Sequence, residues 1–429
     1  MEKSKIEFRG WVIRKRDHGK IIFIDLRSIQ KPYYPLQVVV KKEKVDEKTW
    51  KLASSLTQES SIIVRGELVE NPRAPGGREL LADEVEITHI ALQPYPLGKK
   101  DHSPEVLMFL RHLTIRSPRY TKIWKIRESI INFSREYFQK NKWYEVYPPI
   151  LVSGSVEGGA TLFEVKYFEE NVKVYLSQSA QLYLEAMIFS LGKVWSLTPS
   201  FRAEKSRTRR HLAEYWHLEA EAAWLTFEGN LKVQEELISY IVKKALEDEN
   251  LLDLIREFRK DDLDTLENVK PPFKRIKYDE AIDLLQSKGL SIKWGDDIGA
   301  DEERVLSNEI GEFFFLTHFP KHLKAFYVKI DEKNEELSLS ADLLAPEGYG
   351  EIIGGSERED KIDILEERIK NEGLNIESYQ WYLDLRRYGS VPHSGFGLGI
   401  ERFLQWFLKL DHIRETLPFP RLARFKKII

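Results

Sequence analysis

The sequence predicts an α+β chain: a small all-β barrel first, then a larger domain in which strands and long helices are mixed. Three observations carry this. The chain has 429 residues, too many for one ordinary core, so two or three domains are expected. Its first ~95 residues read as five short strand-like runs separated by turns. The remainder shows strands followed by long helices rather than regular β–α–β alternation.

Composition excludes several classes. Hydrophobic residues make up 42%, enough for a sizeable core, and the net charge of −3 rules out a bulk polycation. Nucleic acid would therefore be met through local patches. The absence of cysteine excludes disulfides and thiolate metal sites, and fits a reducing compartment. No apolar run approaches the ~18–20 residues of a membrane span. The start, "MEKSKIEFRG", lacks the apolar centre of a signal peptide. A soluble cytoplasmic protein with no membrane partner is expected. Few Met and 31% charged residues are compatible with a thermophilic source.

In the first ~95 residues the runs are "IEFRGWVIRKR", "KIIFIDLRS", "PLQVVVK", "SSIIVRGELVE" and "ELLADEVEITHIAL", broken by "DHG" and "NPRAPGG". Five such runs suit a small barrel, of which the OB fold is one form. The first twenty residues hold seven Lys/Arg against three acids, with Phe8, Trp11 and Phe23 interspersed nearby. Basic and aromatic residues on a small barrel suit single-stranded nucleic acid, with bases stacked on rings. On composition alone they read equally as a solvated surface over an aromatic core. "QPYPLGKKDHSPEV" (93–106) is a linker.

Residues 119–140 have helical spacing, with Ile123, Ile126, Ile130, Ile131, Phe133 and Phe138 on or near one stripe. "WYEVYPPILV" reads as a strand that Pro148 and Pro149 confine to an edge. A helix at "SAQLYLEAMIFSLG" precedes strands at "KVWSLTPSFRAE" and "EYWHLEAEAAW". Residues 228–262 read as one amphipathic helix, 278–289 as another, and "KAFYVKI" as a strand. "LSLSADLLAPEGYGEIIGGSERE" reads as strand, loop, strand; 361–388 is helical, and a helix follows the glycines of "GFGLGIERFLQWFLKL".

Three constellations carry chemistry. In Ser200–Glu221, "SFRAEKSRTRRHLAEYWHLEAE", two strands make an antiparallel hairpin around a basic tip. The strand period of two puts Tyr215, His217, Glu219 and Glu221 on one face. The cationic residues at the strand end and tip, Arg202, Lys205, Arg207, Arg209, Arg210 and His211, could grip a polyphosphate, since the Arg fork matches phosphate oxygens; a solvated basic loop has the same pattern. In "ADLLAPEGYGEIIGGSERE", Asp342 and Glu351 bracket a loop. Two carboxylates near a triphosphate suit Mg²⁺; an ordinary turn would look alike. In "SGFGLGIER", alternate Gly395, Gly397 and Gly399 let a strand lie flat against a ligand.

Together these segments resemble a known family. "PSFRAEKSRTRRHLAEYW" is similar to motif 2 of class II aminoacyl-tRNA synthetases, "GFGLGIERF" to motif 3 and "YEVYPPIL" to motif 1. "RDHGKIIFIDLRS" followed by "LQVVV" resembles the anticodon-binding OB domain of the aspartate/asparagine/lysine subgroup. The resemblance runs from about residue 6 to the C-terminus. It implies an OB-fold domain over 1–95, a hinge over 96–118 and a catalytic domain over 119–429. The catalytic fold would be an antiparallel sheet flanked by helices, with the motifs around 143–151, 195–223 and 394–408.

It also implies roles. Arg202 would hold the α-phosphate of ATP and Glu204 the adenine edge, with Tyr215 stacked beneath the adenine. Arg210, His211 and Arg402 would reach the γ-phosphate, and Asp342 and Glu351 would ligate Mg²⁺. Glu157 and Gln181 would meet the substrate α-amino group, and Arg358 its side-chain carbonyl. In the barrel, Phe23 would stack on an anticodon base, Gln37 read a uracil and Arg27 hold backbone or base; Phe23 also reads as barrel core. Motif 1 would form a homodimer interface.

The choice of amino acid rests on two positions. Aspartyl enzymes of the subgroup carry a Lys that meets the substrate's side-chain carboxylate where this chain has Leu184, which would place Leu184 against the amino acid, and commonly Asp where it has Glu219. Arg358 with Glu219 sums to zero charge, which suits a carboxamide. Leu184 reads equally as a core residue. The resemblance within the subgroup is to asparaginyl enzymes of the archaeal and eukaryotic sort, implying L-asparagine and tRNA-Asn as partners. The alternatives are an aspartyl enzyme, either strict or one that also charges tRNA-Asn, and an adenylate-forming asparagine synthetase.

Overall fold

The computed structural model describes residues 5–30, 34–98, 101–154, 156, 162–169, 172–204, 208–260 and 262–423. The chain forms two compact units, Met1–Pro118 and Arg119–Ile429.

The first unit is a closed barrel of β1 (Ile6–Asp17), β2 (Ile21–Ser28), β3 (Leu36–Lys41), β4 (Ser61–Glu70) and β5 (Arg78–His89), in the order β1-β2-β3-β5-β4. These are the five runs of the sequence. Alternation in β2 turns Ile22, Ile24 and Leu26 inward, onto Phe8, Val12, Val38, Val64 and Leu80. Phe23, Asp25 and Arg27 take the outer face. A parallel pairing of β3 with β5 helps close the barrel, so no edge strand is left open. Between β3 and β4 lies the helix Glu47–Ser55, whose Asp46 cap accepts from the Thr49 N–H at 2.7 Å.

The second unit contains β6 (Tyr144–Glu145), β7 (Leu151–Val152), β8 (Glu164–Val165), β9 (Val174–Leu176), β10 (Lys193–Phe201), β11 (Glu214–Ala223), β12 (Lys274–Lys277), β13 (Phe314–Thr317), β14 (Ile330–Asp331), β15 (Asn334–Ser338), β16 (Ser340–Ala345), β17 (Gly350–Glu357) and β18 (His393–Gly399). Eight of these make one sheet in the order β12-β13-β16-β17-β18-β11-β10-β6. Only the two outermost pairings are parallel; the inner strands are antiparallel throughout. The helices Phe227–Glu247 and Ile400–Phe407 pack on this sheet, and Gln181–Leu191 packs on β10 and β11. The helix Pro118–Lys140 buries Ile123, Ile126, Ile130 and Phe138 of the expected stripe, while Ile131 and Phe133 stand at its margin and are only partly buried.

Three segments differ from the sequence reading. Residues 228–262 are two helices, not one. Phe227–Glu247 ends at Asp248, whose side chain caps Glu249–Arg259 by accepting from the Leu251 N–H at 3.0 Å. "KAFYVKI" is not a strand: Phe326 and Tyr327 are buried among Leu182, Leu365 and Tyr382, so its apolar character reflects core packing. "WYEVYPPILV" divides into the short β6 and β7 with Pro148 and Pro149 between, because neither proline can donate to a ladder. Among the described residues no helix is long and apolar enough to cross a membrane.

Candidate active site

The predicted face of β11 lines a cavity of about 550 Å³ in the second unit, with Tyr215, His217, Glu219 and Glu221 all on its wall. Next to it runs β18, in a register that sets Gly395 opposite Glu221 and Gly397 opposite Glu219. A Cβ on Gly395 would fall 2.0 Å from Glu221 Cδ, and one on Gly397 would fall 2.3 Å from His217 Nε2. The alternate glycines therefore make room for the side chains of β11 first, and only through them for a ligand.

The cavity is lined with cations that already hold carboxylates. Arg402 Nη1 meets Glu351 Oε2 at 2.6 Å, and Arg210 Nη1 meets Glu303 Oε2 at 2.7 Å. Lys324 Nζ bridges both oxygens of Asp342 at 2.9 and 3.1 Å. Arg358 Nε lies 3.1 and 3.3 Å from the two oxygens of Glu221, and its Nη2 also donates to Glu221 Oε1. Arg202 stacks over the Tyr215 ring at 5.6 Å.

Burial and neighbours set the protonation of these groups. Burial pushes the Asp342 carboxyl up to about 7, with Lys324 opposing and Glu351 adding to the rise. Burial would also raise Glu351, but Arg402, Lys324 and Arg210 hold it below its ordinary value. Burial, with Arg402, Arg210 and Arg202 nearby, lowers His211 to about 4. With no ligand bound, His211 is therefore neutral at pH 7, not one of the cations expected at the hairpin tip. Burial raises Glu221 while Arg358 draws it down; three N–H contacts on its two oxygens suit the ionised form.

Beside Glu221 on the same face of β11, Glu219 accepts from Ser179 Oγ and, at 2.8 Å, from the Ala180 N–H. Gln181, in the first turn of its helix, also lines the wall. Of the residues expected to act here, Arg202, Arg210, His211, Tyr215, Asp342, Glu351, Gln181, Glu219, Arg358 and Arg402 are brought together around this one cavity.

Others are not. Leu184 does not line the cavity but is fully buried in an apolar cluster with Ala180, Ile188 and Val194. The expectation that it touches the substrate is corrected: on a helix whose Gln181 and Glu185 turn toward polar partners, Leu184 points into the packing between helix and sheet. Glu204 is exposed beyond the end of β10 and is not among the lining residues. Glu157 lies outside the described residues, as do Lys205 and Arg207.

On the barrel, Phe23 is on the outer face, edge-on to His18 at 5.8 Å and under Arg16 at 5.5 Å. It is not a core residue. Gln37 shares that face and donates to Glu79 Oε2 at 2.7 Å. Arg27 is paired within the barrel unit: its guanidinium is engaged by Glu59 at 2.7 and 2.9 Å and by the Arg116 carbonyl at 2.9 Å, and it lies 5.3 Å over Trp11. It ties the barrel to the segment that follows.

Sequence reasoning missed Lys324, Glu303 and the pairing of Glu221 with Arg358. Lys324 sat in a run read as a strand, and Glu303 in an acidic first helical turn that resembles any solvated helix. The Glu221–Arg358 pair joins positions 137 residues apart. Glu303 also accepts from the Glu351 N–H at 2.9 Å, so it holds two cavity groups at once.

Asp342 and Glu351 converge over Gly354, where an added Cβ would lie 3.3 Å from Glu351 Oε1 and 3.6 Å from Asp342 Oδ1. Two carboxylates that converge on one wall of this cavity fit Mg²⁺, which takes one or two carboxylates and completes its shell with phosphate and water oxygens. Among the described residues no set of three or more His, Cys, Asp or Glu is arranged to hold a metal by itself.

An antiparallel sheet with paired cations around one cleft, following a five-stranded barrel, is the architecture that the resemblance to class II tRNA synthetases implies. Residues 103–423 match the family model of tRNA synthetases class II (D, K and N), and 6–88 match that of the OB-fold nucleic acid binding domain. The chain belongs to this family of class II synthetases and is an enzyme, a ligase. It is 55% identical over 421 residues to the asparagine–tRNA ligase of Thermococcus gammatolerans, covering 98% of this chain and 95% of that one. The crystal structure of asparaginyl-tRNA synthetase from Pyrococcus horikoshii complexed with asparaginyl-adenylate superposes with a TM-score of 0.93 at 54% identity, over 98% and 96% of the two chains. The aspartyl-tRNA synthetase of Entamoeba histolytica gives 0.81 at 25% identity, over 98% and 89%.

Proposed function

We propose that the enzyme activates L-asparagine with ATP to asparaginyl-adenylate and pyrophosphate, and transfers the asparaginyl group to the 3′ end of tRNA-Asn. The observation that carries the choice of amino acid is the Arg358–Glu221 pair beside Glu219. With Arg358 already facing a carboxylate, an aspartate side chain would find its countercharge taken and Glu219 opposite. A carboxamide offers its carbonyl to Arg358 and its NH₂ to Glu219, and adds no further negative charge to a pocket that already sets two carboxylates against one guanidinium. Polar mismatch of this kind can discriminate by ~10⁴–10⁵. High identity to an asparagine–tRNA ligase along almost the whole chain supports the same reading.

The chemistry follows from charge. Attack of the substrate carboxylate on the α-phosphate builds negative charge on the equatorial oxygens and on departing pyrophosphate. Arg202 would stabilise the first, and Arg210 and Arg402 the second, after exchanging Glu303 and Glu351 for phosphate oxygens. His211 adds a neutral contact, and Tyr215 would lie beneath the adenine. Asp342 and Glu351 would hold Mg²⁺, which when bound neutralises charge on the phosphates. The substrate carboxylate is its own nucleophile, so no general base is needed. Phe23 and Gln37 would meet the anticodon on the outer face of the barrel. A homodimer through motif 1 is supported by Tyr144, Tyr147, Ile150 and Leu151, whose apolar side chains are exposed.

The test is pyrophosphate exchange with Asn, Asp and Lys in parallel, followed by aminoacylation of tRNA-Asn. Exchange driven by Asn is expected. Stronger exchange with Asp overturns the choice of amino acid, and exchange without tRNA charging favours the adenylate-forming synthetase.

A further inference from the structure

Behind the cavity wall sits a carboxylate that the proposed chemistry does not use. Glu185 is fully buried, one helical turn after Gln181. Its Oε2 accepts from Tyr382 Oη at 2.7 Å and Arg386 Nη2 at 2.7 Å, and lies 2.9 Å from His393 Nε2. Its Oε1 accepts from Gln181 Nε2 at 3.0 Å. Two further elements, the helix Gln380–Arg387 and β18, thus join its own helix in holding this one carboxylate. Burial would raise it, but Arg386 and His393 hold it below the ordinary carboxylate range, so it is ionised.

An ionised carboxylate only accepts hydrogen bonds, and this decides which way round the Gln181 amide stands. The NH₂ must face Glu185, and the carbonyl oxygen is turned to the other side of the amide. Gln181 lines the cavity. The edge it presents is therefore an acceptor, with a fixed negative charge behind it.

We propose that Glu185 is a positioning residue that locks Gln181 as a hydrogen-bond acceptor for the α-ammonium of the amino-acid substrate. The inference rests on the asparagine reading above. It adds a device that selects an amino acid by its ammonium group, independently of the side-chain pocket. A glutamine without this anchor could rotate its amide and present an N–H to the ammonium, turning an attraction into a repulsion.

The experiment uses the full chain, asparagine-dependent pyrophosphate exchange, and succinamate, which is asparagine without its α-amino group, as a competitive inhibitor. Glu185→Gln is expected to raise the KM for asparagine roughly ten- to hundred-fold, as for loss of a hydrogen bond to a charged group. The inhibition constant of succinamate and the KM for ATP should change by less than about two-fold, since neither molecule offers an α-ammonium to this site. In a Gln181→Ala background, Glu185→Gln should add nothing further to the KM for asparagine, because a residue acting through another shows full coupling. If Glu185→Gln does not fold with Arg386 unpaired, Glu185→Asp keeps the charge, withdraws it from Gln181, and should give the same contrast. Succinamate weakening in step with asparagine, or additive effects in the double variant, would overturn the proposal in favour of a merely structural anion. Wild-type exchange with asparagine but no effect of either Glu185 variant overturns this inference alone. No wild-type exchange with asparagine overturns the functional reading and this inference with it.

Discussion

Leu184 shows how a single position changes meaning once its surroundings are known. It differs from the Lys of aspartyl enzymes, and in sequence that difference looks like a substrate contact. Its burial among Ala180, Ile188 and Val194 makes it a packing residue instead. Leu184→Lys is therefore expected to lower stability by about 3 kcal/mol or more, the cost of an unpaired buried ammonium, in urea unfolding. A variant as stable as wild type that activates aspartate would restore the direct-contact view. His211 carries a second prediction. Because its pKa is lowered to about 4, it is neutral both above and below its ordinary value of 6.5. The ratio of KM for ATP between His211→Ala and wild type should be the same at about pH 6 and about pH 8. A ratio that grows as pH falls through that range would mean that His211 acts as a cation.

At the scale of elements, the sheet was legible where local patterns fixed it and hidden where distant ones did. The period of two in β11 gave the face of Tyr215, His217, Glu219 and Glu221 without any structure. The runs that became β1 to β5 were equally plain, since each is bounded by turns. What could not be read was partnership across the chain: Arg358 with Glu221, Asp342 with Lys324, Arg210 with Glu303. Each depends on the order of strands and on helix placement, and no spacing rule encodes that. A similar limit misled the reading of "KAFYVKI", where burial between elements imitated a strand. The glycines of β18 show the same dependence. Gly395→Ala would drive a methyl group to 2.0 Å from Glu221 Cδ and 2.4 Å from the Ala220 carbonyl oxygen. The expected result is a loss of about 1–3 kcal/mol in thermal or urea unfolding, the usual cost of overpacking. The KM for asparagine should rise more than that for ATP, because Glu221 is displaced from Arg358. Unchanged stability and kinetics would mean that the strand pair can separate there freely.

At the scale of the molecule, each unit has its own core and its own chemistry. Phe23 on the barrel and the cleft on the sheet can be addressed separately. Phe23→Ala should raise the KM for tRNA roughly five- to hundred-fold, the range expected for one lost stacked base, and leave tRNA-independent pyrophosphate exchange untouched. A fall in both activities would show that the ring supports the barrel itself.

The pairing of Arg402, Arg210, Lys324 and Arg358 with carboxylates before any substrate arrives has a consequence for how the enzyme responds to ionic strength. A cleft of bare cations would gather a cloud of small anions and release them when a nucleotide entered, so its affinity would fall steeply in concentrated electrolyte. Here the incoming triphosphate trades places with fixed protein carboxylates, and few mobile ions change hands. The KM for ATP should accordingly stay nearly level from about 0.05 to about 0.5 M KCl, while that for tRNA, a polyanion that sheds counterions on binding, climbs steeply.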